Sequence, residues 1–254
     1  MNSAHIESLS SALVAVEVVA ETGSTNADLL ARAATLTGPT LLIAEHQSAG
    51  RGRAGRSWLS EAGSSLTFSL AWKFDGPLTR LLGLPLAVGV ALADALHALN
   101  VPVQLKWPND VERDGAKLAG ILIETAPADG AIWAVIGIGL NLVMPDDLEQ
   151  RIGRPVASAP WLAQMDRDVL MAALLDSLSA TLTSFAQHGF GAFAARWNAR
   201  HAYQGQRVTI SDAGMVRHQG VALGVDDSGC LLLDCDGQRV TIVAGDVSLR
   251  RAEG

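Results

Sequence analysis

The sequence predicts an α+β fold, with a mixed, largely antiparallel sheet flanked by helices and a small all-β unit at the C-terminal end. Three observations lead there. Extended segments joined by short turns succeed one another between residues 101 and 143 without intervening helices, which makes an antiparallel meander. The apolar run "LLGLPLAVGVALADALHAL", residues 81–99, reads as a helix buried across a sheet. From about Gln206 the chain breaks into short strands punctuated by Asp-Ser-Gly and Asp-Gly turns, as small β-barrels do.

The elements follow in order. Val14 to Ala20 reads as a first strand. "STNADLLARAA" follows as a helix, with Ser24 or Thr25 as N-cap and Asp28 placed for a capping-box role. "TLLIAEHQ" is a short buried strand that runs into "GRGRAGRSW", and "SSLTFSLAW", residues 64–72, alternates as the next strand. After the buried helix, "VPVQLKWPNDVE", "KLAGILIET" and "AIWAVIGIGLNLV" form the meander. Residues 166–201 are mainly helical, with Leu170, Leu174, Leu175 and Leu178 on an apolar stripe and breaks near Gly189 and Gly191. The division expected is a domain of residues 1–203 followed by a barrel of residues 204–254.

With 254 residues, 49% of them hydrophobic, the chain can bury a sizeable core. A net charge of −7 argues against a general binder of nucleic acid or anionic membrane. The run at 81–99 approaches membrane-span length, but Pro85, Asp94 and His97 interrupt it and no aromatic belt or basic flank accompanies it. The N-terminus has no basic region preceding an apolar stretch, and Glu17 breaks its apolar run. Cys230 and Cys235 lie five apart on a strand and point to opposite faces, so they read as buried free thiols suited to a reducing cytoplasm.

Charge is concentrated where the backbone is freest. "GRGRAGRSW", residues 50–58, places three arginines and three glycines in nine positions of an acidic chain. Arg51, Arg53 and Arg56 repel one another unless an anion arrives, and guanidinium forks pair with carboxylate or phosphate oxygens. Such a loop is expected to move when empty and to order around a negative group; a solvated surface loop has the same composition. In "KWPND", Lys106 ends a strand opposite Leu105 and Trp107, and Asn109 and Asp110 follow the strand-stopping Pro108. A lysine and an aspartate together at a strand end suit a reaction site, and equally a salt bridge and a turn. Lys117 enters an apolar strand that contains Gly120. Gly137 and Gly139 sit inside a strand, where glycine costs stability unless backbone or ligand needs the space.

The order of these segments carries more than any one of them. "STN", "QSAGRGRAGRSW", "KWPND", "KLAGIL" and "GIGLN" follow one another over residues 20–145 as in the biotin–protein ligases, and the sequence closely resembles that family. The β segment at 205–251 resembles the small SH3-like barrel that ends those enzymes. The resemblance implies a catalytic core akin to that of class II aminoacyl-tRNA synthetases. It implies that biotin and ATP are the substrates, with Mg2+ expected, that biotinyl-5′-AMP forms with release of pyrophosphate, and that the biotinyl group passes to a lysine of the biotin carboxyl carrier protein.

It also implies roles. Ser24, Thr25, Asn26 and Gln47 would meet the neutral ureido ring of biotin, with Gly50, Gly52 and Gly120 giving close backbone approach. Arg51 and Arg53 would close over the carboxylate and adenylate phosphate, with Arg56 and Trp58 on the nucleotide side. Lys117 and Lys106 would stand near the phosphates, and Asp110 where the carrier lysine arrives. Asn109, Gly137, Gly139 and Asn141 would complete the adenylate site. One branch of the family also represses transcription through an N-terminal DNA-binding domain. "STN" begins at residue 24, which leads to the expectation of a monofunctional ligase that binds no DNA and no membrane. Monomer and homodimer are both compatible with the sequence. Lipoate–protein ligase is the alternative within the fold, and a non-catalytic biotin- or adenylate-binding module is the alternative outside enzymes.

Overall fold

The computed structural model describes residues 1–59, 61–153, 155–212, 215–245 and 247–251. Helix α1 (Ser3–Leu9) leads into β1 (Ala15–Thr22), α2 (Thr25–Ala31) and β2 (Thr40–Gln47). β1 and β2 pair in parallel, Val16 beside Leu41 and Val18 beside Ile43, with α2 as the crossover. This βαβ unit is the parallel part of an otherwise antiparallel sheet. Next come β3 (Ser65–Asp75), α3 (Leu84–Ala98), β4 (Gln104–Lys106), β5 (Asp110–Arg113), β6 (Ala116–Ala128) and β7 (Ala131–Asn141). The seven strands lie in the order β1-β2-β3-β7-β6-β5-β4. The meander forms as expected, and its last strand returns to pair with β3 over the whole of both strands.

The two faces of this sheet differ. Leu66, Phe68 and Leu70 of β3 and Ile136, Ile138 and Leu140 of β7 point into the main core, against α3 and α5 (Arg167–His188). The alternate positions point to the α2 side: Thr67, Ser69 and Ala71 on β3, paired with Gly139, Gly137 and Val135 on β7. A small second core of Leu29, Ala33, Leu42, Ala71, Trp133 and Val135 seals one end of that side. Beyond it Thr67 and Ser69 of β3 face Gly139 and Gly137 of β7, which leaves a hollow at the N-terminus of α2.

The apolar run at 81–99 is spent on the core. Residues from Leu84 to Leu96 are buried along most of α3, although Leu78–Ala98 and Arg167–His188 are each long and apolar enough to cross a membrane by length and composition. α4 (Asp146–Ile152) and α6 (Gly191–Asn198) complete the helices. The strands β8 (Arg207–Asp212), β9 (Met215–Val225), β10 (Leu231–Cys235), β11 (Gln238–Ile242) and β12 (Val247–Arg251) form an antiparallel sheet ordered β11-β10-β9-β8-β12. It is tied to the larger sheet at the β4 edge. Leu105 N–H donates to Arg200 O at 2.8 Å, Ala202 N–H to Leu105 O at 2.9 Å, and the fully buried Trp107 indole N–H to Gly229 O at 3.1 Å.

Two local expectations are corrected. Ser24 does cap α2, accepting from Ala27 N–H, but Asp28 closes no capping box: its carboxylate accepts instead from the Thr22 hydroxyl at the end of β1. Cys230 and Cys235 are free, yet only half-buried, and only Cys235 lies within β10, with Cys230 just before it.

Candidate functional site

The hollow is a cleft open to solvent on one side, enclosing about 640 Å³ of non-atom space with the solvent at its mouth included. Its inner wall is a chain of hydrogen bonds. Gln47 Oε1 accepts from Thr25 N–H at 2.8 Å and from the Thr25 hydroxyl at 3.1 Å. Thr25 Oγ1 and Ser69 Oγ lie 2.6 Å apart, and Ser69 Oγ donates to Asn26 Oδ1 at 2.6 Å. Asn26 Nδ2 donates to Glu124 Oε2 at 2.9 Å and to Leu122 O at 3.3 Å. Ser24, Thr25 and Asn26 are all buried, so these bonds replace the water they lost. Gln47 has its oxygen occupied and retains amino donors; Asn26 has both amino hydrogens occupied and retains an oxygen lone pair. The wall therefore offers both a donor and an acceptor to a neutral polar ligand.

The glycines inside strands are explained by side chains that need their space. A Cβ at Gly137 would overlap Asn26 Oδ1, and one at Gly139 would overlap the Trp58 indole. At Gly120 it would stand 2.7 Å from Lys117 Nζ. All three glycines line the cleft.

Residues 50–58 fold over the mouth as a tight loop. Trp58 N–H donates to Gly50 O at 2.9 Å and Gly52 N–H to Arg56 O at 2.6 Å, while Ala54 and Gly55 adopt left-handed φ of 53° and 69°. A left-handed alanine costs on the order of 1 kcal/mol, which the rest of the loop must offset. The arginines are not left to repel one another. Arg51 Nη2 donates to Glu124 Oε2 at 2.9 Å, so the first anion they meet is the protein's own. Arg53 Nη1 donates to Asn109 Oδ1 at 3.0 Å and its Nη2 to Gly245 O of the C-terminal unit. Arg56 is exposed and bonds the Arg53 carbonyl at 3.1 Å. The Trp58 indole N–H is buried within the cleft's lining with no acceptor among the described residues.

Opposite the loop, Lys117 Nζ lies 2.6 Å from Asp110 Oδ1, both side chains more than four-fifths buried. The ammonium also stands 5.7 Å from the Trp58 ring centre. A cation thus sits at the inner end of the cleft with a carboxylate beside it.

Most of the expected residues converge here. Ser24, Thr25, Asn26, Gln47, Arg51, Gly52, Arg53, Arg56, Trp58, Asn109, Lys117, Gly120, Gly137 and Gly139 line one cleft. Gly50 lies at the outer side of the loop, and Asp110 reaches the cleft through Lys117. Lys106 and Asn141 do not line it. Lys106 Nζ pairs with the buried Glu112 at 2.9 Å and stands 5.4 Å from the Tyr203 ring centre. Burial opposes its charge, but Glu112 and then Tyr203 outweigh it and hold its pKa above the ordinary lysine value. Asn141 donates to the carbonyls of Lys117 and Ala157, tying β7 to the segment beyond it. The sequence reading missed Ser69 and Glu124. Ser69 is a polar residue at an inward position of "SSLTFSLAW"; Glu124 lies an even number of positions past Gly120, which puts it on the cleft face.

A polar wall, a cationic loop and a buried Lys–Asp pair define a site for a small acid and a nucleotide. Residues 16–141 match the biotin/lipoate A/B protein ligase family, and residues 203–250 match the biotin protein ligase C terminal domain. The biotin–[acetyl-CoA-carboxylase] ligase of Mycobacterium tuberculosis is 40% identical over 244 residues, covering 91% of this chain and 88% of the relative. The bifunctional ligase/repressor BirA of Escherichia coli is 35% identical over 246 residues, covering 94% of this chain and 75% of the relative. The structure of the Aquifex aeolicus biotin protein ligase in complex with biotin and ATP superimposes with a TM-score of 0.78 at 28% identity, covering 93% of this chain and 99% of that one. The chain belongs to the biotin protein ligase family.

Proposed function

We propose that this protein activates biotin with ATP, forming biotinyl-5′-AMP and pyrophosphate, and transfers the biotinyl group to a lysine of the biotin carboxyl carrier protein of a carboxylase. The observation that carries this reading is the cleft itself. A wall with spare amino donors on Gln47 and a spare acceptor on Asn26 adjoins an arginine loop and an inward lysine, in a member of the biotin protein ligase family. A cyclic urea offers a carbonyl acceptor and N–H donors, which complements that wall. The lipoate alternative lacks this support, because a dithiolane ring makes no such demand for paired donors and acceptors.

Attack of a carboxylate on ATP brings anionic groups together, and cations placed in advance remove their repulsion. Arg51, Arg53 and Lys117 border the space in which those charges would meet, and closure of the 50–58 loop would exclude water from it. Trp58 and Arg56 would flank the nucleotide. Asp110 would then serve the second step: an ammonium cannot attack, and a carboxylate at the cleft can orient the carrier lysine and take its proton. Mg2+ would accompany ATP. Asp110 and Glu124 are already engaged by Lys117 and Arg51, and the metal-ligand cluster among the described residues, His5, Asp166 and Asp168, does not line the cleft. The ion would therefore take most of its ligands from phosphate oxygens and water. Lys106 would act at a distance from biotin, at the junction with the C-terminal unit.

We assign residues 1–203 to the ligase domain and 204–254 to the appended β unit, whose Gly245 carbonyl meets Arg53. The net charge of −7 supports action without DNA, and free cysteines support a cytoplasmic setting. The test is to mix the protein with ATP, magnesium, biotin and an apo carrier domain and to probe the carrier with avidin. Label that depends on ATP and biotin supports the reading. A carrier that gains the mass of a lipoyl group when lipoate replaces biotin, or that gains no label with biotin, refutes it. A salt-dependent shift of operator DNA would refute action without DNA.

A further inference from the structure

Glu124 stands beside the loop at the outer edge of the cleft and bonds a residue of each. One of its oxygens, Oε2, accepts both from Asn26 Nδ2 at 2.9 Å, inside the polar wall, and from Arg51 Nη2 at 2.9 Å, on the loop that covers the mouth. The side chain is 28% exposed, so it stands where the buried wall meets the wet rim. No other carboxylate among the described residues touches either partner.

We propose that Glu124 is a positioning residue that fixes which way the Asn26 amide faces and couples that orientation to the parking of the Arg51 loop. This rests on the biotin-ligase reading above and deepens it. The two ends of an asparagine amide are nearly identical in shape, so something other than packing must decide which atom faces the ligand. A carboxylate accepts and cannot donate. Glu124, with the more distant Leu122 carbonyl, therefore holds the amino end of Asn26 on its own side and leaves Oδ1 on the Ser69 side, with a lone pair for a ligand N–H. Gly137 leaves the room in which that oxygen sits. The same carboxylate offsets the Arg51 charge while no ligand anion is present. Biotin that hydrogen-bonds Asn26 and presents its carboxylate to the loop competes for Arg51, so reading the ring and releasing the arginine proceed through one acceptor.

Glu124→Gln keeps the shape but restores a donor, so the amide pair can flip and Arg51 loses its counter-charge. Calorimetric titration with biotin should show Kd raised about tenfold, the cost of one charge-assisted hydrogen bond. KM for ATP and the rate of transfer from preformed biotinyl-AMP should stay within about twofold, a split that general loosening of the fold would not produce. In an Asn26→Ala background the same change should no longer raise Kd, because the loss passes through Asn26 and only the release of Arg51 remains. Glu124→Asp keeps an acceptor-only group and should shift Kd less than Glu124→Gln. Trypsin should cut the ligand-free loop faster in Glu124→Gln than in the unaltered protein.

Equal biotin Kd in the unaltered protein and Glu124→Gln would overturn the proposal, as would additive effects with Asn26→Ala or a larger loss in Glu124→Asp. An unaltered protein that binds no biotin would instead overturn the reading of the site, and this proposal with it.

Discussion

Gly137→Ala tests the polar wall with a single methyl group. An ideal Cβ at Gly137 would overlap Asn26 Oδ1 and stand 2.9 Å from Asn26 Cγ and 3.2 Å from Nδ2, against roughly 3.5 Å for an ordinary carbon contact. Gly137 lies in a strand paired on both sides, so its backbone cannot yield easily. The Asn26 side chain, 3% exposed, must turn away instead. It would forfeit hydrogen bonds to Ser69, Glu124 and Leu122 O. At about 1 kcal/mol net for each, the loss is about 3 kcal/mol, offset by about 0.5 kcal/mol from the stiffer unfolded chain. Urea denaturation should therefore show a lower midpoint with unchanged slope, and calorimetry should show biotin affinity reduced at least tenfold. Gly38→Ala is the control, since a Cβ there meets nothing within 4 Å and its stability should stay within about 0.5 kcal/mol of the parent. If Gly137→Ala binds biotin as tightly as the unaltered protein, Asn26 does not read the ligand.

Other outcomes follow from the same geometry. Arg53→Ala should slow pyrophosphate release about 100-fold while leaving the fold intact, and an unchanged rate would remove Arg53 from the reaction. Asp110→Asn should slow single-turnover transfer from preformed adenylate about 100-fold or more, and by more than it slows adenylate formation; a normal transfer rate would exclude it as the group that takes the proton. His201 is buried against Trp197 with its Nε2 unpartnered among the described residues, and burial, opposed by Gln204, lowers its pKa to about 4 from an ordinary 6.5. Between those values the unfolded chain holds the extra proton, so stability falls as pH drops below about 6.5 and is unaffected above it. The loss between pH 7.5 and pH 5 should be about 2 kcal/mol by urea denaturation, and His201→Gln should reduce it.

Much of the site was legible in the sequence because its chemistry is local. A Ser-Thr-Asn run that caps a helix, an arginine loop bracketed by glycines and a lysine entering an apolar strand each bring functional groups and backbone freedom within a few residues. Strand alternation likewise marked the meander and the C-terminal β unit. Tertiary structure decided which distant segments share a face. β7 lies beside β3, and only that pairing sets Ser69 opposite Gly137 and opens the hollow over α2. It separated Lys106, which the motif placed with the phosphates, into a pair with Glu112 at the far edge of the sheet. It also brought Glu124 to Asn26 and Arg51 from 98 and 73 residues away. The physical reason is that composition fixes what a side chain can donate or accept, whereas its partner depends on strand order, which no local pattern encodes.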